Sequence, residues 1–375
     1  MSIMSYKKEF YRILLLLLAL LTLASGTWAG LTRLGWHWPT IQPTLPLNHG
    51  PLMVPGFFGA LIALERAVAI KKTWAYAASL ACGIGGLLLA FGYLGFAGPL
   101  LLTLGSVMLV FVFIYVLQKH RAGYLILMAL GAAALLVGNL LWLSGWQVYQ
   151  FVLWWEGFLI LTIASERMEL GRMIRLSPLS QAIFSIAILV YITGLVVLLM
   201  NWSLGIRISS AGLILLALWL LRYDIARRTV KQSGLTRFIA VCLLSGYVWL
   251  IVSGIIGLVY GGVPAGPIYD AMLHSIFLGF VFSMIFGHAP IIFPAILKFD
   301  IQYKPIFYLP LILLHLSLFL RITGDLLGFM VLRLWGGLFN VLVVILYFLM
   351  ISPLMGRYNN WVLKKTKDVV KTGRA

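Results

Sequence analysis

Ionisable side chains inside long apolar runs are destabilising unless they find partners, so each one is a functional candidate. The stretch from His274 to His288, followed by Ala289-Pro290, carries two such groups. On a regular α-helix their separation corresponds to a rise of about 21 Å and an offset of about 40°, which predicts one shared face at two depths. His49 lies 22 residues before Lys71 and His274 lies 24 before Lys298, so these two imidazoles are expected at matching depth on different spans. A pair of neutral imidazoles at one depth is the arrangement that ligates a haem iron axially, and the iron supplies the partner that apolar surroundings withhold. The competing reading for each is a hydrogen bond to a carbonyl or carboxylate. Gly56 and Ala60, below His49, leave room for a flat macrocycle or for a neighbouring helix.

The other candidates sort by depth around these histidines. Glu156 and Asp270 are expected in the same layer as His49 and His274. Arg33 and Arg321 are placed to meet haem propionates there, or to snorkel to headgroups. A second layer holds Glu65, Glu166, Glu169 and His288, readable as a proton or metal relay reaching His288 or as paired charges at helix ends. His315, mid-span, reads as structural, and His37 and His120 fall in loops.

The chain that positions these groups is 62% hydrophobic and 10% charged over 375 residues, a composition that excludes a soluble globular domain. Its periodicity and breakers predict an all-α polytopic membrane protein of about twelve transmembrane helices. The spans run roughly 10–31, 46–70, 73–94, 97–117, 123–144, 148–169, 178–200, 204–222, 237–260, 267–297, 304–322 and 329–352. One membrane domain over 1–375 is expected, in quartets of roughly 10–117, 123–222 and 237–352, with a basic tail over 353–375. Cys82 and Cys242 both fall mid-span, which argues against a disulfide framework or a thiolate metal site.

The net charge of +18 reads as short basic loops facing one side of a lipid bilayer, with no nucleic-acid partner implied. Lys7, Lys8, Lys71, Lys72, Lys119, Arg121, Arg172, Arg175, Arg227, Arg228, Lys298 and the tail lysines cluster on that side. The positive-inside rule then predicts a multi-pass protein of a prokaryotic cytoplasmic (inner) membrane with both termini cytoplasmic. An internal repeat refines this picture. Gly56-Phe57 precedes Glu65-Arg66 with the spacing by which Gly157-Phe158 precedes Glu166-Arg167, and Gly279-Phe280 places His288 at the equivalent position. Spans 2, 6 and 10 are four apart, as three pseudo-symmetric four-helix repeats require.

About twelve spans, inside termini, and histidines on spans 2 and 10 resemble the architecture of haem–copper oxidase subunit I. The run His49-Gly-Pro-Leu-Met-Val-Pro-Gly-Phe resembles the segment bearing that family's low-spin haem ligand. The spacing His274-x4-Gly279-x4-Met284 more closely resembles the NnrS family of haem- and copper-containing membrane proteins linked to nitric oxide stress, although on span 2 the glycine after His49 comes two residues later than that pattern expects. The resemblance implies haem b, copper as an open second metal, and a role in nitric oxide or denitrification-related stress by redox chemistry or ligand binding. Nitric oxide or a redox partner is then implied as partner. Spans 6 and 7 contain no histidine, so a binuclear oxygen- or nitric oxide-reducing centre is not expected, and whether the protein is an enzyme is open. Two other classes remain: a proton-coupled secondary transporter using Glu65, Glu166 and His288, and an assembly or structural subunit of a respiratory oxidase.

Overall fold

A bilayer offers no water to backbone N–H and C=O groups, so apolar runs of membrane-crossing length satisfy them internally by becoming helices. The computed structural model describes residues 3–39, 42–92, 95–171, 176–297 and 301–352, with side chains from Phe10 onward. The tail over 353–375, and Arg172, Arg175 and Lys298, lie outside these described residues. Among the described residues all regular structure is helical, and 12 helices are long and apolar enough to cross a membrane. They are α1 (Ile3–Leu34), α2 (Leu45–Ile70), α3 (Thr73–Phe91), α4 (Ala97–Lys119), α5 (Gly123–Leu143) and α6 (Val148–Gly171). They continue as α7 (Pro178–Val197), α8 (Trp202–Tyr223), α9 (Gly234–Tyr260), α10 (Pro267–Leu297), α11 (Pro305–Leu327) and α12 (Met330–Ile351). Local chemistry sets several boundaries. Ser177 and Asn201 cap α7 and α8 by accepting the N–H groups of Ser180 and Leu204, and Gly92 ends α3 in the left-handed region at φ 69°.

The packing repeats every four helices. Pairs α1–α2, α5–α6 and α9–α10 are matched by pairs α3–α4, α7–α8 and α11–α12, while α4–α5, α8–α9 and α12–α1 join successive quartets. Helices α2, α6 and α10 each touch the other two, and α6 and α10 are the most buried of the twelve. A glycine draws the third and fourth helices of each quartet together: Gly85 against Leu102, Gly212 against Tyr191 and Gly336 against Arg321. A Cβ at Gly336 would fall 2.6 Å from the Arg321 backbone nitrogen, so the close approach requires glycine there.

Two of the three central helices are not α-helical throughout. Helix α2 becomes π-helical over Leu52–Phe58 and α10 over Ser275–Phe282, whereas α6 stays α-helical. In α2, Pro55 removes an N–H from the ladder. In α10, hydroxyls take up carbonyls around the wider turn: Ser275 donates to Ala271 O at 2.8 Å, Ser253 of α9 to Met272 O at 2.8 Å, and Ser283 to Gly279 O at 2.6 Å. The stretch in α10 corrects the shared face expected for His274 and His288. An i→i+5 ladder turns each residue through less than the α-helical 100°, so eight π residues slip the phase by on the order of 100° or more. The two imidazoles accordingly meet different neighbours.

Candidate functional site

His49 opens the α-helical part of α2, just after the 3-10 turn Leu45–Asn48, and its ring lies against α1 because Gly30 has no side chain. A Cβ at Gly30 would fall 2.7 Å from His49 Cε1 and 2.8 Å from Nδ1. One turn earlier, at Gly26, the carbonyl accepts the His49 Nδ1–H bond at 2.7 Å. The tautomer is thereby set with the lone pair on Nε2, which makes no hydrogen bond among the described residues.

His274 ends the first α-helical segment of α10, immediately before its π-helical stretch. Its Nδ1–H lies 3.0 Å from the Asp270 carbonyl and 3.2 Å from the Asp270 carboxylate. Arg321 of α11, 8% exposed, grips that carboxylate bidentately, with Nε and Nη2 donating to Oδ2 and Oδ1 at 2.8 Å each. Nη2 also lies 3.3 Å from His274 Nε2, a longer contact than either bond to Asp270. Arg321 therefore meets the expected layer, but its two shortest bonds go to a protein carboxylate.

The two imidazoles from α2 and α10 come together. Their ring centroids are 6.0 Å apart and their planes 18° apart, and both line a cavity of about 380 Å³. Phe58 and Phe282, from the two π-helical stretches, have ring centroids 5.7 Å apart and form part of its apolar wall with Phe277, Val341 and Val344. Arg33, Arg321, Arg333 and Asp270 line it as well. Arg333 pairs with Asp325 at 2.7 Å, and Arg33 makes no ion pair among the described residues, leaving one uncompensated cation. Gly56 does not line this space; it faces Thr22 and Gly86, so the small residue serves helix packing.

The residues present fit a haem. An iron held by two imidazole nitrogens at about 2 Å sets the ring centroids about 6 Å apart. Both Nδ1–H groups are tied to acceptors, the usual outer-shell signature of a ligating histidine. The surrounding wall is apolar and carries a spare arginine for a carboxylate. Among the described residues no three His, Cys, Asp or Glu side chains converge to hold a bare metal ion, and a haem iron asks the protein for only two ligands.

The second layer is also assembled, with different wiring. Arg66 Nη2 donates to Glu65 Oε1 at 2.7 Å and to Glu166 Oε1 at 3.0 Å, tying α2 to α6. Arg167, 3% exposed, donates through Nη2 to His288 Nε2 at 2.8 Å, while His288 Nδ1–H donates to Met284 O at 2.7 Å. Both nitrogens of His288 are thus engaged. Asp224, just beyond α8, lies near Arg167 and Tyr247; burial pushes its carboxyl above the ordinary range, and Arg167 partly opposes the shift. Glu156, 2% exposed, stands apart from this layer and accepts from Tyr191 at 3.2 Å. His315 accepts from Trp249 at 2.9 Å and meets Ser245 at 2.9 Å, as a structural histidine should.

Sequence reasoning missed Gly26 and Gly30, although the small-xxx-small spacing on α1 is visible, and it did not connect Asp270 to Arg321 or Arg167 to His288. Those pairings join distant spans and carry no local signal. Twelve helices of membrane-crossing length among the described residues, nine of them around three central ones, with a histidine-lined cavity at one end, define a polytopic α-helical membrane protein. Over residues 12–354 the chain matches, and belongs to, the family described as Domain of unknown function (DUF8744). No curated protein and no solved structure matches it.

Proposed function

We propose that the protein is a haem b-binding integral membrane protein in which His49 and His274 would hold the haem iron. The observation that carries this reading is the pair of imidazoles, contributed by α2 and α10, facing one cavity with centroids 6.0 Å apart and each with Nδ1 already committed. Bound there, the haem would supply one-electron redox chemistry, and binding of a small diatomic ligand only where one imidazole leaves the iron. The chain's own residues do the rest. Gly26 and Asp270 orient the two rings, Phe58, Phe277 and Phe282 would exclude water from the cavity, and Arg33 would meet a propionate. The sidedness of basic residues supports a cavity facing the outer side of a prokaryotic cytoplasmic membrane, and the NnrS-like spacing on α10 favours a role in nitric oxide or denitrification-related stress.

The test is the absorption spectrum of protein purified from haem-replete cells. A b-type spectrum is expected in the wild type and in His120→Ala, and its loss in His49→Ala and in His274→Ala. A colourless wild type, or a spectrum that survives both ligand substitutions, would sink the proposal.

A further inference from the structure

Both imidazoles donate Nδ1–H to a backbone carbonyl, and His274 alone has a carboxylate beside that bond. His49 Nδ1–H donates to a neutral backbone carbonyl, that of Gly26, at 2.7 Å. His274 Nδ1–H lies within reach of both the carbonyl and the carboxylate of Asp270, at 3.0 and 3.2 Å. That carboxylate is itself clamped by two 2.8 Å bonds from Arg321. A guanidinium gripping a carboxylate through two parallel N–H bonds fixes its position as well as its charge. Arg33 remains for the anionic edge of a ligand, whereas Arg321 is already engaged.

Building on the haem reading, we propose that Asp270, clamped by Arg321, is the positioning residue of His274 and makes it the more strongly donating of two unequal axial ligands. A carboxylate accepting from Nδ1–H raises the basicity of the opposite nitrogen and fixes its tautomer. A neutral carbonyl, such as serves His49, does this more weakly. The added negative charge favours the oxidised, more positive state of the bound group, so Asp270 lowers its reduction potential. Arg321 limits that effect and keeps the buried carboxylate paired, since an uncompensated buried charge would destabilise the fold.

The experiment is a redox titration of purified wild type, Asp270→Asn and Asp270→Glu, each followed through its haem absorbance. Asparagine keeps the shape and an acceptor oxygen but removes the charge. The expected result is a potential raised in Asp270→Asn by about 59 mV, equivalent to a tenfold change in the oxidised-to-reduced preference for one electron, with Asp270→Glu closer to wild type. An unchanged potential in Asp270→Asn, with haem retained, overturns this assignment and leaves the haem reading intact. If Asp270→Asn cannot hold haem, retention by Asp270→Glu supports a carboxylate requirement, and loss in both overturns the tuning role in favour of a purely structural one. Wild type without haem overturns the underlying reading, and this inference with it.

Discussion

The placement of His49 depends on a missing side chain, which makes Gly30→Ala the most direct perturbation of the cavity. The new Cβ would lie 2.7 Å from His49 Cε1 and 2.8 Å from Nδ1. Relaxed carbon contacts sit at about 3.5–4.0 Å, so the ring must retreat by roughly 1 Å. That retreat stretches the 2.7 Å bond to Gly26 O. An N–H left short of its acceptor in a buried site costs about 1–3 kcal/mol. The same range follows from metal chemistry, where losing an outer-shell partner costs about 10–100-fold in affinity, or roughly 1.4–2.7 kcal/mol. The assay is a haem titration of the purified, haem-depleted protein followed by absorbance. Gly30→Ala is expected to weaken binding by about 10–100-fold, and Gly30→Val by at least as much. Gly123→Ala is the control, because a Cβ there meets nothing within 4 Å. Haem uptake by Gly30→Ala equal to wild type would refute the placement of His49 argued above.

Two further outcomes concern the opposite end of the bundle. Arg167 and His288 join α6 to α10 through a buried 2.8 Å bond, so either Arg167→Met or His288→Leu leaves a buried polar group unpaired. Each should destabilise the fold by about 2–4 kcal/mol, and the double substitution by less than the sum by about 0.5–3 kcal/mol, as measured by reversible denaturation in detergent; strict additivity would count against the contact. Asp224 predicts a pH dependence whose sign follows from burial raising its folded pKa above the ordinary carboxylate value. Below the unfolded value both states hold the proton and stability is fully present. As pH rises the unfolded state releases its proton first, so stability falls until pH passes the raised folded value. Asp224→Asn, which keeps an acceptor for the Ala226 N–H, should lose this component of the slope; an identical slope in wild type and variant would remove Asp224 as its source.

The helices were legible because a membrane span needs a fixed length of apolar chain. The expected spans at 97–117 and 267–297 meet α4 at Ala97–Lys119 and α10 at Pro267–Leu297. Depth was legible for the same reason: counting back from basic residues matched His49 with His274, and the rings do meet. Direction around the helix was not. The shared face of His274 and His288 assumed 100° per residue, and the π-helical stretch between them breaks that assumption without a proline to announce it. Partners across spans were equally hidden. Arg321 was visible as a cation on the side depleted of cations, but its grip on Asp270 depends on how α11 packs against α10. Gly56 stood open between a ligand and a neighbouring helix because a sequence shows that a residue is small and not which neighbour fills the gap.

What separates a ligand from a strut among these histidines is the second ring nitrogen. His288 and His315 have both nitrogens engaged at 2.7–2.9 Å, while His49 Nε2 makes no hydrogen bond among the described residues and His274 Nε2, beside the cavity, takes only a longer 3.3 Å donation from Arg321 Nη2. The repeat sharpens this distinction. At one end of the three central helices the equivalent positions interlock, with Arg66 reaching Glu166 and Arg167 reaching His288, so each arginine binds the next quartet's counterpart. At the other end the quartets diverge. Helices α2 and α10 supply imidazoles and turn π-helical just beyond them, while α6 stays α-helical and presents Val148 and Val152 to the same cavity. Two imidazoles in a wall of valine and phenylalanine, with the lining Asp270 carboxylate held by Arg321, do not complete the four-ligand shell of a structural zinc ion. They do match a group that brings four equatorial nitrogens of its own and asks for two axial ones, which is why the cavity's composition, as much as its histidines, favours haem.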